Sequence, residues 1–270
     1  MVNRDLLLEK LTGSVNNWQV EIVDSTGSTN DELSDRYGPR DDAEYFVLWA
    51  EEQSSGHGRL KREWRSVPGM DITASVLFPA PVKPVDIPKI SLCAGMTLTT
   101  VLGDRYGIAA QARWPNDVVT GNGKVSGILS RYLDRPNAVI CGIGINVNSD
   151  ASEFDFGEKR PYTSVMKEAG YKVVREELLA GWLIQFERNW SLASAENINE
   201  LREKFGRISF YNGKKVKVIA GGASDRDSEE GNFREIYGTA GLIDDTGSLT
   251  VHSDDNTRYS VSIDDVIIPL

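Results

Sequence analysis

Apolar residues recur at two spacings along this chain, and the change from one to the other marks out its parts. YFVLWAEEQ (45–53), DITASVLFPA (71–80) and AVICGIGINVN (138–148) are short, nearly continuous apolar runs with β-branched residues, and they predict buried strands. Helical spacing governs 86–107, where apolar side chains fall at 90, 92, 93, 96, 98, 101 and 102 and predict a long packed helix. The same spacing puts Leu179, Trp182, Leu183, Phe186 and Trp190 on one face of REELLAGWLIQFERNW, a stripe that reads as core packing and not as a cofactor box. MVNRDLLLEKLTG at the start predicts a short amphipathic helix, its apolar segment too short for a signal peptide. Thr29 followed by Glu32 has the capping-box form, which predicts a helix from about Asn30 to Gly38. ENINELREKFG predicts a further helix ending at Gly206.

Two hairpin signals complete the pattern. VVTGNGKV places Gly-Asn-Gly between apolar runs, with Lys124 at the start of the second strand. In RWPND, Pro115 holds Trp114 extended. From about Arg207 the pattern changes to GKKVKVI, EIYGTAGLID, GSLTVHS and RYSVSI, four or five short strands with Gly and Asp turns. That predicts a β-barrel or sandwich of about 60 residues and a boundary between domains at 1–206 and 207–270. Between its first strands, ASDRDSEEGNFRE (223–235) reads as a solvated acidic loop, and SDASEFDFGEKRPYTS (149–164) reads as irregular.

Composition narrows the class. With 40% apolar and 26% charged residues in 270, and no long apolar run, the chain reads as a globular protein with ample core. Its net charge of −10 argues against a general nucleic-acid binder. Cys93 and Cys141 lie in apolar stretches without metal or redox spacing and read as buried free thiols in a cytoplasmic protein.

Against that acidic background one stretch stands out. EQSSGHGRLKREW (52–64) is neither helical nor strand-like, and residues 54–65 set Arg59, Lys61, Arg62 and Arg65 against Glu63 alone. Glycine lets backbone N–H groups approach a ligand, clustered cations suit phosphate, and Trp64 offers a flat face for an aromatic base. Taken by itself the stretch is equally a mobile basic surface loop. Ser28, Thr29 and Asn30 lie at a turn where their polar groups can meet a ligand, although plain helix capping accounts for them too. Alternating glycines in GIGINVN mark close approach to backbone, by a ligand or by a neighbouring strand.

STN at 28–30, the basic loop ending in Trp64, RWPND at 113–117, KVSGIL at 124–129 and GIGINVN at 142–148 occur in the order found in biotin protein ligases, and the chain resembles that family. The resemblance implies an α/β (α+β) catalytic domain, a mixed sheet flanked by helices akin to class II aminoacyl-tRNA synthetases, followed by a small SH3-like C-terminal β-barrel. It implies ATP- and Mg²⁺-dependent activation of biotin to biotinyl-5′-AMP, then transfer to one lysine of a biotin carboxyl carrier domain. Joining a carboxylate to an α-phosphate brings two anions together, so cations must surround the junction. On this resemblance Lys124, Arg59 and Arg62 are the catalytic cations, and Trp64, Asn116, Asp117 and Asn146 attend the nucleotide. Biotin falls to Ser28, Thr29, Asn30, Gln53, Gly56, His57, Gly58, Lys124, Gly127, Gly142 and Gly144. Ser28, Thr29 and Gln53 would meet the ureido group, and Asp117 either orients the carrier lysine or caps its hairpin. No metal ligands are assigned.

The chain departs from the family loop, Gly-Arg-Gly-Arg-x-Gly-Arg-x-Trp, at His57 and Lys61, and has Arg113 where lysine is usual. An imidazole at 57 either faces the phosphates, giving a pH-dependent contact, or points away and leaves only its backbone at the ligand. With about 20 residues before the first motif, no operator-binding domain, no DNA and no membrane are expected; a homodimer is left open. Lipoate or octanoate ligation, and a weakened ligand- or carrier-binding module, are the alternative functions. The C-terminal unit is expected to serve carrier docking or active-site support, since none of its residues matches a ligand-contact motif.

Overall fold

A computed structural model of the protein describes residues 1–80, 82–150, 161–221, 234–263 and 265–270. The irregular stretch expected within 149–164 and the acidic loop expected at 223–235 fall mostly outside them.

Seven strands form the main sheet, in spatial order β1 (Gln19–Thr26), β2 (Phe46–Gln53), β3 (Ile72–Pro79), β7 (Ala138–Ile145), β6 (Lys124–Leu133), β5 (Asp117–Val119) and β4 (Gln111–Arg113). Only β1 and β2 run parallel; the other neighbours are antiparallel, so the sheet is mixed. The apolar runs lack clean alternation because both faces of the sheet are covered. Phe46, Leu48, Leu77 and Ile140 pack with Leu33 and Tyr37 of α2 (Thr29–Tyr37). Val47, Trp49, Val76 and Phe78 face the larger core with α3 (Ile87–Tyr106) and α5 (Arg175–Asn189). The Trp182 and Phe186 rings stack at 4.8 Å, and Phe78 meets Phe186 edge-on at 5.5 Å. The expected aromatic stripe is therefore core. Cys93 and Cys141 are buried free thiols, and burial pushes both up to about 12.

Helix α1 (Arg4–Lys10) and α2 form where expected, but the cap of α2 is Ser28, whose Oγ accepts from the Asp31 N–H at 3.5 Å. Glu32 does not close a capping box on Thr29; its carboxylate is held by Thr26 Oγ1 and Arg36. After the short helix α4 (Val165–Ala169), α6 (Ile198–Ile208) continues two residues past Gly206, where the sequence pattern ends it. Strand β4 had no periodic signal, being only three residues long.

A second sheet is antiparallel throughout, in the order β11 (Arg258–Ser260), β10 (Leu249–Ser253), β9 (Arg234–Ile243), β8 (Lys215–Ala220), β12 (Val266–Pro269). Phe210, just before this sheet, donates from its backbone to the Ala112 carbonyl at 2.9 Å, and the buried Trp114 indole donates at 2.9 Å to the Gly247 carbonyl between β9 and β10.

A buried ionic cluster closes the end of β2. Arg175 forks onto Glu51 at 2.9 and 3.2 Å and donates to the Asp71 carbonyl at 2.9 Å. Asp71 in turn accepts from Val67 N, Val147 N and Ser149 Oγ. Both ends of the loop bearing the basic motif are thereby tied to the end of β7. Arg175→Ala should cost about 3 kcal/mol, because it takes the forked guanidinium from a largely buried Glu51 carboxylate that keeps only the Val2 and Gly69 N–H groups and the N-terminus; chemical denaturation at neutral pH measures this. A loss below about 1 kcal/mol would show the cluster to be solvated.

Candidate active site

A cleft of about 550 Å³ opens at the ends of β2, β3, β7 and β6, beyond the N-terminus of α2. Strand register shapes its floor. Thr73, Gly144, Gly127 and Asp117 lie in one transverse row across β3, β7, β6 and β5; Ser75, Gly142 and Leu129 lie in the next. The glycines make a trough in the sheet. Two side chains rest in it: Trp64 over Gly127 and Gly144, and Asn30 over Gly142. A Cβ on Gly144 would sit 2.3 Å from Trp64 Cε2, and one on Gly142 2.6 Å from Asn30 Oδ1. In this structure protein side chains occupy the trough that the glycines of GIGINVN help to form. The Trp64 Nε1–H is buried there and has no hydrogen-bond partner among the described residues.

Of the residues assigned to biotin, nucleotide or catalysis from the sequence, all but Gly56 line the cleft; Lys61 of the basic loop lies outside its lining. Gly56 is buried behind it, where an added Cβ would meet Gln53 Nε2 at 2.7 Å. At the α2 end the polar groups form a directional chain. Asn30 Nδ2 donates to the Leu129 carbonyl at 3.0 Å, which turns Oδ1 toward Ser75 at 2.8 Å. Ser75 has a single proton and gives it to Asn30, so Thr29 Oγ1 gives its own to Ser75 at 2.6 Å, the shorter of its two contacts, and shares it with Gln53 Oε1 at 3.1 Å. Gln53 Oε1 accepts from Thr29 N at 2.8 Å, which leaves the two Nε2 protons as donors. Asn30 is thus a brace between strands. Ser75 is a link that the motifs missed; its signal was a hydroxyl two residues after Thr73 in an otherwise apolar strand.

At the opposite end the cations gather. Asp117 lies between Lys124 Nζ, 2.9 Å away, and Arg113. Burial would raise the Asp117 carboxyl, but the two cations and their hydrogen bonds outweigh it and hold it at about 2. Lys124 Nζ also stands 5.5 Å over the Trp64 ring. Its backbone is clamped by Pro161 and Thr163 on an adjoining segment at 3.0 Å each. That segment runs so close that Gly123 (φ 151°) has no room for a Cβ, which would sit 2.4 Å from the Pro161 oxygen. Asn146 is buried, and its amide donates to the Thr163 carbonyl at 3.1 Å. Asn116 donates to the Ile128 carbonyl at 2.7 Å and accepts from Arg59 at 3.5 Å.

The basic loop folds back over the cleft as a narrow hairpin. Gly58 N donates to Arg62 O at 2.7 Å and Trp64 N to Gly56 O at 2.8 Å. The His57 imidazole turns toward α2, with Nδ1 3.2 Å from the Ser55 carbonyl and 3.8 Å from Asp31. Asp31 is also paired with Arg131 at 2.9 Å. Arg59 reaches across to donate to the Ile263 carbonyl of the second sheet. Tyr211, Ile219, Ile263 and Val266–Ile268 then wall the far side of the cleft. No motif signalled them, because their contribution is apolar surface and backbone.

The match to a family model, described as the biotin/lipoate A/B protein ligase family, covers residues 22–148. The biotin–[acetyl-CoA-carboxylase] ligase of Paracoccus denitrificans is 33% identical over 196 residues, 65% of this chain and 80% of that protein. The chain belongs to the biotin/lipoate A/B protein ligase family. The ligase of the same name from Mycobacterium tuberculosis is 29% identical over 271 residues, covering 97% of this chain and 93% of that one. Among solved structures, the biotin protein ligase from Aquifex aeolicus in complex with biotin and ATP superposes with a TM-score of 0.75 at 23% identity. The overlap spans 93% of this chain and 99% of that one. The family fold, a mixed sheet flanked by helices with an antiparallel sheet following, is the one described above.

The Asp117 pairing makes a prediction with a defined sign. Its folded value of about 2 lies below the ordinary 3.8, so its stabilisation is in place above pH 4 and is lost as pH falls from 4 toward 2. Asp117→Asn should cost about 2 kcal/mol at pH 7 and flatten the acid limb of the stability profile below pH 4. Denaturation midpoints between pH 2 and pH 7 check it, and parallel profiles for wild type and variant would refute it.

Proposed function

We propose that this protein activates biotin with ATP to biotinyl-5′-AMP and transfers the biotinyl group to one lysine of a biotin carboxyl carrier domain in the cytoplasm. The observation that carries this reading is the polarity of the cleft: hydrogen-bonding groups of both senses at the α2 end, cations at the other. A ureido ring has one strong acceptor and two N–H donors. Thr29 Oγ1, having given its proton to Ser75, is left as an acceptor, while Gln53 Nε2 and the Ser28 hydroxyl can donate. A dithiolane would leave these buried polar groups unpaired, at a cost that discriminates strongly against it.

In the first step a biotin carboxylate oxygen forms a bond to the α-phosphorus of ATP, and the bond to the departing pyrophosphate breaks. Lys124 stands where it can offset both anions, its ammonium held by Asp117 so that it need not reorganise during reaction. Arg59 and Arg62 flank the phosphates from the loop. Trp64 presents an indole face to the adenine, and Asn116 and Asn146 hold the turn and strand that frame the nucleotide. In the second step the carrier lysine, as a neutral amine, attacks the acyl carbon and AMP leaves. Asp117 is paired with two cations in the resting site and reads there as a positioning group for Lys124. Among the described residues no cluster of three or more His, Cys, Asp or Glu side chains forms a metal cage. Mg²⁺ would arrive on the nucleotide's phosphate oxygens, as it commonly does. We take residues 1–206 as the catalytic domain and 207–270 as an SH3-like domain that completes the cleft wall.

Incubating the protein with ATP, Mg²⁺ and either biotin or lipoate, with the adenylate followed by mass spectrometry, tests the reading. Biotinyl-AMP should form and lipoyl-AMP should not; the reverse would transfer the protein to the lipoate branch. Lys124→Ala should lower single-turnover adenylation by about 10²- to 10³-fold with the fold retained. Near-normal adenylation in that variant would remove Lys124 from the mechanism.

A further inference from the structure

The hairpin over the cleft is bent at its tip in a way its residues resist. Leu60 and Lys61 have φ of 55° and 54°, two consecutive non-glycine residues in the left-handed region. There each Cβ crowds the following carbonyl oxygen, a clash that glycine lacks and that asparagine tolerates better than other side chains. Lys61 is exposed and Leu60 is 47% exposed, so packing of the tip offsets little of this. The shape is imposed from either side. The Gly58–Arg62 and Trp64–Gly56 hydrogen bonds fix the two legs of the hairpin. Beyond them His57 lies against Asp31, Arg59 holds the Ile263 carbonyl, and the Trp64 indole lies on Gly127 and Gly144.

We propose that Lys61 is a positioning residue: its left-handed backbone keeps the loop under strain when folded over the cleft and so limits how long the loop stays closed. The strain belongs to the Cβ and not to the ammonium group. Removing the Cβ, or substituting a side chain that accepts left-handed backbone, should favour the closed loop; removing the charge alone should not.

Hydrogen exchange of the Gly58 and Trp64 amides in the full-length, ligand-free protein reads the closed population directly, because both are hydrogen-bonded only when the hairpin is formed. Lys61→Gly should slow their exchange by about threefold, since relief of strain is partly offset by the freedom glycine gives the open loop. Lys61→Asn should slow it comparably, and Lys61→Ala should leave it unchanged. Equal slowing by Ala and Gly would make charge repulsion the cause and overturn the proposal. So would unchanged exchange in Gly and Asn, or no protection of these amides in any of the four proteins. A second measurement rests on the function proposed above: biotinyl-AMP should dissociate about threefold more slowly from Lys61→Gly and Lys61→Asn than from wild type or Lys61→Ala. If the exchange pattern holds and no adenylate binds, the functional reading fails and the role of Lys61 stands.

Discussion

The site depends on one constraint, the register that sets Gly127 directly opposite Gly144 in neighbouring antiparallel strands. Two facing positions without side chains make a flat patch wide enough for an indole, and Trp64 rests on it. With Trp64 seated, the second leg of the basic hairpin is fixed and Lys124 lies over the ring. A slip of one residue between β6 and β7 would put side chains of the other strand face into the trough. The seating of Trp64 follows from that alignment, and the alignment is continued away from the cleft by four further pairs, Ser130 with Cys141 through Leu133 with Ala138.

The second sheet does more than the sequence indicated. Its Ile263 carbonyl receives Arg59 from the loop, and its Gly247 carbonyl receives the Trp114 indole from the turn before Asn116 and Asp117. It therefore touches the cleft on both the side of the basic loop and the side of the RWPND turn. It also supplies a wall of the cleft. Backbone acceptors and isoleucines bear no motif, so nothing in residues 207–270 could have announced the contact.

Much of the architecture was legible because it is periodic. The buried strands, the long α3 and the aromatic face of α5 all show in the spacing of apolar residues, and the ordered motifs pointed to one family. What spacing could not give was orientation. Asn30, grouped with ligand contacts, spends its amide on Ser75 and Leu129. His57 turns to Asp31. The glycines at 127, 142 and 144 are filled from within by Asn30 and Trp64. Thr29 with Glu32 fits the capping-box pattern, yet Ser28 wins because its extended backbone (φ −155°, ψ 128°) is the geometry a cap requires. Ser75 was missed because its partners, Thr29 and Asn30, are remote in sequence, and β4 because three residues are too few to show a period.

The paired anchorage of the second sheet has a consequence for how such proteins can be recombined. The Gly247 hairpin and the RWPND turn are one joint, and the Ile263 segment and the basic loop are another. A C-terminal unit grafted from a relative would bring its own spacing between these two acceptors, and with it a different cleft width. The portable module is accordingly not the C-terminal sheet by itself, but that sheet together with the loop and the turn it grips.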